Sequence, residues 1–334
     1  MTHKKPLRAF TRLASLMLVL LLAACATSEV ATGPSIYADN KDFMIVEGQP
    51  GDTMRSLAAQ YLGDASLAPV VEDLNGPASA NGRAIILPKR PLNRSAVDVN
   101  GYQVVPILCY HQFTKGTPRN RMQVSVANFE AQMRYLKDNG YRVITLDDLD
   151  GFLSGDRPIP ERAVVVTIDD GYRSTYDLAL PILEKLGLPA TLYIYSDFAG
   201  VSMSWDEIRA LDGGDVIDIQ SHSKSHTSMS PNGDEKPGPA YVARVEEEVS
   251  VPHRIFKKRL GVDMEHFAYP YGDTSADVVK LMEKYNYDTA VTVQRGGNAS
   301  FTHPYLLRRD MVYSDHTLAD FKKFLTVYKK ANLK

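Results

Sequence analysis

The chain has 334 residues, 38 basic and 40 acidic, and 44% of it is hydrophobic. This suits one large globular domain with a small companion and excludes a disordered chain. The formal net charge of −2 carries no electrostatic footprint for nucleic acid.

Residues 1–24 form a separate unit. Lys4, Lys5, Arg8 and Arg12 precede an apolar run from Leu16 to Ala24, as in a secretory signal segment. The run is too short to span a bilayer comfortably. Leu22-Ala23-Ala24-Cys25 resembles a bacterial lipobox, which implies cleavage before Cys25, its lipidation, and attachment to a membrane. Ala26 offers no aspartate-type retention signal, so in a host with two membranes the resemblance implies the outer one, facing the periplasm. Removing residues 1–24 takes four basic residues and no acidic one, leaving a net charge of −6. Cys109, the other cysteine, stands alone in an apolar strand and reads as core.

A polar tether, 25–42, leads to a compact unit over 43–91. A strand at 43–46 is followed by the turn Gln49-Pro50-Gly51-Asp52-Thr53, which caps a helix over 54–62 that Gly63 ends. A second helix over 66–74 and a strand over 84–88 complete a βααβ order. With its Pro-Gly-Asp-Thr turn and Leu74-Asn75-Gly76, this unit resembles a LysM module, which implies binding of N-acetylglucosamine-containing glycans. Residues 92–103, with Asn93, Asn100 and Gly101, read as a linker.

The large domain, 104–334, opens with an apolar strand ending at His111. Amphipathic helices over 128–139 and 147–153 follow. Val164 to Ile168 is continuously apolar, as in a parallel strand covered on both faces, and delivers Asp169, Asp170 and Gly171 to its C-terminal end. In α/β barrels that end holds the chemistry. A helix over 178–186, a strand over 190–195 and a helix opened by the capping box Ser204-Trp205-Asp206-Glu207 maintain the β-α-β rhythm. The strand over 216–220 presents His222-Ser223-Lys224-Ser225-His226. A long charged helix over 241–260, kinked at Pro252, has Glu246-Glu247-Glu248 as a solvated face. Strands are expected over 267–269, 289–293 and 307–312.

Adjacent carboxylates can divide labour, one gripping a cation and the other taking a proton from water, while two imidazoles four residues apart complete the cation's cage. Thr167-Ile168-Asp169-Asp170-Gly171, His222-Ser223-Lys224-Ser225-His226 and Phe267-Ala268-Tyr269-Pro270-Tyr271-Gly272 together resemble, in order and spacing, the polysaccharide deacetylases, the NodB-homology carbohydrate esterases. The resemblance covers about residues 104 to 325. It implies an α/β fold, a distorted (β/α) barrel, with Asp169 as general base, Asp170, His222 and His226 as metal ligands, and the Tyr271 N–H as an oxyanion donor. The family's arginine two residues before the proline is replaced by Ala268, so Arg308 or Arg309 is expected to orient Asp169 instead. The strand ending at His111 resembles the first strand of a circularly permuted branch, in which such a histidine protonates the leaving amine.

Two nitrogen ligands and one oxygen suit Zn²⁺, with Co²⁺ and Ni²⁺ as alternatives. Tyr110, Tyr172, Trp205, Tyr271 and Pro270 lie near the motifs and are candidates for the sugar platform, with core packing as the alternative. The implied reaction is de-N-acetylation of a GlcNAc-containing polysaccharide outside the cytoplasm, an exopolysaccharide or peptidoglycan. O-acetyl ester hydrolysis and a noncatalytic glycan-binding lipoprotein are the alternatives.

Overall fold

The computed structural model describes residues 35–333 except 41–42, 77–78, 90–92 and 94. The expected signal segment, Cys25 and most of the tether lie outside the described residues. Among the described residues no helix is long and apolar enough to cross a membrane.

In the small unit, β1 (Ile36–Asp39), β2 (Phe43–Glu47) and β3 (Ala84–Pro88) form an antiparallel sheet in that order. β1 falls inside the segment read as a tether, where it adds a strand to the expected βααβ order. α1 (Met54–Leu57) is capped by Thr53 and extends as a π-helical turn to Leu62, and α2 (Ala68–Asn75) follows. Asn75 ties the helices to the sheet: its amide accepts from the Ile86 N–H (2.7 Å) and donates to the Ile86 carbonyl (2.8 Å). Val46, Leu57, Val71, Ile85 and Leu87 close the core.

The segment read as a linker is partly ordered into β4 (Val97–Asp98) and β5 (Gly101–Gln103). The large domain begins with β6 (Ile107–Tyr110), followed by the short pair β7 (Gln112–Thr114) and β8 (Gln123–Ser125) and by α3 (Val126–Asp138). Next come β9 (Arg142–Val143), α4 (Leu146–Leu153), β10 (Ala163–Ile168), α5 (Leu180–Leu186), β11 (Ala190–Ile194), α6 (Trp205–Asp212) and β12 (Ile217–Ser221). α7 (Pro239–Leu260) runs through Pro252 as one helix. β13 (His266–Ala268), α8 (Ala276–Lys284), β14 (Thr289–Val291), β15 (Asp310–Met311) and α9 (Leu318–Phe324) follow. The last strand, β16 (Tyr328–Lys330), returns to pair with β5, so both ends of the domain share one small sheet.

The main sheet is parallel, in the order β14-β13-β12-β11-β10-β6-β15, with β9 beside the start of β10. It curls into a half-barrel consistent with a distorted (β/α) barrel. Residues 307–312 join its two edges. The Thr292 N–H donates to the Leu307 carbonyl (2.8 Å) on the β14 side, and the Val312 N–H to the Cys109 carbonyl (2.9 Å) on the β6 side. All six residues of β10 are buried, as its unbroken apolar run requires of a strand flanked on both edges and covered on both faces.

Candidate active site

At the C-terminal end of β10 the chain turns sharply, with Asp170 and Gly171 both at φ 76°. A Cβ on Gly171 would meet the Ile194 side chain at 2.8 Å, so the turn excludes larger residues there. The turn sends the two carboxylates to different partners. Among the described residues six non-glycines have positive φ, and four of them (Asp170, Ser223, His226 and Tyr271) belong to this site. Backbone strain of this kind persists only where surrounding contacts impose it.

Asp169 is met by Arg309. The guanidinium donates two parallel hydrogen bonds, Nη1 to Oδ1 and Nη2 to Oδ2, each 2.7 Å. Arg309 is itself fully buried, its Nε donating to the Thr292 carbonyl (2.9 Å) and its Nη1 also to Thr167 Oγ1 (3.1 Å). Burial pushes the Asp169 carboxyl up, but the charge and hydrogen bonds of Arg309, with His222, outweigh it and hold the group at about 2. Arg309 therefore takes the place of the arginine missing at Ala268, while Arg308 is exposed.

Ala268 has another use: its carbonyl accepts from His222 Nδ1 (2.8 Å). That bond places the proton on Nδ1 and leaves Nε2 to face the site. His222 Nε2 lies 3.4 Å and His226 Nε2 3.2 Å from Asp170 Oδ1. Asp170 Oδ1 is buried and has no hydrogen-bond donor. Two imidazole nitrogens and an unsatisfied carboxylate oxygen, all within 4.8 Å of one another, fit a divalent cation.

The loop between the two histidines is clamped from below by Glu248 of α7. Its carboxylate accepts from the Lys224 N–H (3.1 Å), the Ser225 N–H (2.8 Å) and the Ser225 hydroxyl (2.6 Å). Glu248 is only 5% exposed, which corrects the reading of Glu246-Glu247-Glu248 as a solvated face. A helical wheel around the buried Tyr241, Val245 and Val249 places Glu248 on the inner side, a signal the sequence did hold.

A cavity of about 420 Å³ gathers His111, Asp169, Asp170, His222, His226, Tyr271 and Arg309. Its size is that of a small-ligand pocket. His111 lies beside Asp169 with the Cys109 thiol at its edge (Sγ to Nδ1 4.0 Å; Sγ to Asp169 Oδ2 3.5 Å), and burial lowers its pKa below the ordinary imidazole range. Tyr271 is 62% exposed, its ring edge-on to His226 at 4.9 Å. It precedes Gly272, where a Cβ would meet the Val293 backbone nitrogen at 2.6 Å, so the Pro-Tyr-Gly turn packs against the end of β14.

Two platform candidates, Tyr110 and Pro270, are buried, and two, Tyr172 and Trp205, are half-buried. Tyr110 is fully buried and donates to Gln132 Oε1 (2.8 Å) among Phe113 and Phe129. Pro270 is buried. Trp205 packs edge-on against Phe256 (5.9 Å) beneath Arg259, and Tyr172 packs against Phe198 (5.7 Å); neither lines the cavity. Tyr110 is turned into the core because it ends a strand, where successive residues face opposite sides. The lining residues missed by sequence are Met122, Tyr269, Val293, Arg295, Met311 and Tyr313.

Residues 156–290 match the polysaccharide deacetylase family. Relatives point the same way. The Bacillus subtilis protein YxkH, named for that family, is 29% identical over 206 residues, 61% of this chain and 70% of its own. The poly-beta-1,6-N-acetyl-D-glucosamine N-deacetylase of Escherichia coli K12 is 24% identical over 248 residues, 63% of this chain; the match spans only 37% of that enzyme. Among solved structures, IcaB from Ammonifex degensii superposes with a TM-score of 0.61 at 23% identity, covering 68% of this chain and 99% of IcaB, which supports the fold. The family match and the relatives mark a similarity to polysaccharide deacetylases, and the superposition shows their fold.

Proposed function

We propose that the protein is a metal-dependent deacetylase that removes N-acetyl groups from a GlcNAc-containing polysaccharide outside the cytoplasm, with poly-β-1,6-N-acetylglucosamine as the leading candidate. The observation that carries this reading is the convergence of Asp170, His222 and His226 beside an arginine-held Asp169 in one cavity. The substrate follows from the named activity of the Escherichia coli relative.

Asp170, His222 and His226 would hold a divalent cation, their donor set suiting Zn²⁺, and such an ion would supply Lewis acidity at the site. Asp169, kept ionised by Arg309, removes the proton from the attacking water. The Tyr271 N–H supports the developing oxyanion. His111 protonates the leaving nitrogen. It is neutral at rest and must gain that proton during the reaction, and Asp169 is in reach, since His111 nitrogen, Cys109 sulfur and Asp169 oxygen lie within 4.8 Å of one another. This use of an early-strand histidine is what a permuted member of the family requires.

The rest of the chain gives the enzyme its address. Cys25, lipidated after removal of residues 1–24, anchors it in the cell envelope, at the outer membrane of a diderm host. The unit over 43–91 acts as a LysM-like glycan-binding module.

The test is acetate release by the full-length protein, with Zn²⁺, Co²⁺ or chelator, from poly-β-1,6-N-acetylglucosamine oligomers, peptidoglycan and acetylated xylan side by side. Metal-dependent release from the first is expected. Release from xylan alone would replace the amide with an ester, and silence on all three by metal-loaded protein would overturn the reading in favour of a noncatalytic glycan-binding lipoprotein.

A further inference from the structure

The cavity has two unlike walls. The two are chemical kinds of lining: one comprises Asp170, His222, His226 and Tyr271, and the other Met122, Val293, Met311 and Tyr313, with Arg295 beside them in the lining. Arg295 is exposed, and among the described residues it has no hydrogen bond or ion pair. Its position is fixed from behind: the preceding carbonyl, that of Gln294, accepts from the Arg309 N–H (2.9 Å), so Arg295 leaves the chain beside the strand that delivers the catalytic guanidinium.

A second guanidinium lies nearby but outside the cavity lining. Arg121 lies over the Tyr313 ring, 4.2 Å from the centroid, and is balanced by Asp315 at 3.4 Å. Asp310, whose charge Arg295 feels, is a buried residue of β15. The Asp169 charge is spent on Arg309, and that of Asp170 faces the two histidines. The unpaired charge presented to a glycan on this side is therefore positive.

We propose that Arg295 makes the cavity read charge on the sugar next to the reacting one, admitting neutral or carboxylate-bearing neighbours and rejecting an ammonium. This rests on the deacetylase reading of the site. It also restricts the product. Hydrolysis adds water across the amide, breaks the C–N bond, releases acetate and leaves an amine that takes a proton near neutral pH. The sugar just processed is then the neighbour that Arg295 repels, so acetyl groups are removed at intervals along the polymer and not in adjacent runs.

The decisive experiment compares kcat/KM of the full-length, metal-loaded protein on two β-1,6-linked pentamers, one fully N-acetylated and one with a single glucosamine beside the central acetylated sugar. Two like charges about 6 Å apart at an exposed mouth correspond to a preference of about tenfold for the fully acetylated pentamer at low salt. The preference should persist in Arg295→Lys, fall to about twofold or less in Arg295→Ala and in the wild type at high salt, and reverse in Arg295→Glu. A preference unchanged in both Arg295→Ala and Arg295→Glu, with metal content intact, would overturn the proposal while leaving the deacetylase reading in place. No acetate from either pentamer would remove that reading and this one with it.

Discussion

The two walls of the cavity are built by different means. The metal-facing wall is a set of buried, mutually bonded groups: Arg309 forks onto Asp169, Ala268 fixes His222, and Glu248 clamps the loop that carries His226. The other part of the lining is aliphatic and aromatic side chains together with the Arg295 cation. Burial makes each hydrogen bond of the first wall costly to lose and its geometry narrow. The second wall can change without unmaking the first, so chemistry should be fixed on one side of the cavity and selectivity set on the other.

Substitutions on the first wall should have the largest effects. Asp170→Asn or His222→Ala should remove metal and activity together, by about 10³-fold or more in rate, read by metal content and acetate release. Asp169→Asn should cost about 10²–10⁴-fold in kcat with metal retained. The reverse pattern would exchange the roles of the two carboxylates.

Arg309→Met should add a fold defect to the catalytic one, about 3–5 kcal/mol by denaturant unfolding, because it leaves Asp169 buried and unpaired. The same pair sets acid stability. The folded Asp169 carboxyl, at about 2, lies below its ordinary value near 3.8. Its ionised form therefore stabilises the fold above about pH 4, and that contribution is lost as pH falls through 2. In Arg309→Met burial raises the carboxyl above that ordinary value, so the sign reverses and protonation relieves the buried charge as pH falls; stability-versus-pH curves of the same slope for the two proteins would contradict the assignment.

His111→Ala should slow turnover about 10²-fold or more and leave metal content unchanged. Near-normal activity would remove it from the proton path. Glu248→Ala touches no reacting atom, yet freeing the histidine loop should weaken metal affinity about 10–100-fold, measured by competition with a chelator. Trp205→Phe, on a residue that packs outside the cavity, should change kcat/KM less than about twofold; a large loss would restore it as a sugar platform.

That Asp169, Asp170, His222 and His226 meet in one site was legible in the sequence because each occupies a short motif at a strand end; their separate roles came from the family resemblance. His111 was legible for the same reason. Arg309 was only narrowed to a pair, since which of two adjacent arginines points inward depends on the register of the edge-joining segment 307–312. Glu248 was misread because a run of three acids hides that only one of them lies on the buried stripe of α7. Of the aromatic candidates Tyr271 lines the cavity and Tyr110 is buried, because linear proximity to a motif does not say which face of a strand or helix a ring occupies.

The sequence by itself determined the β-α-β rhythm, the strand that delivers Asp169 and Asp170, and the three residues that meet as a candidate cation site. These are properties of local periodicity and of residue type. Only the tertiary structure decided which guanidinium holds Asp169, what braces the histidine loop and which side chains form the second wall. Those choices join groups 23 to 140 positions apart in the chain, and no local pattern encodes which distant side chains a curled sheet brings face to face.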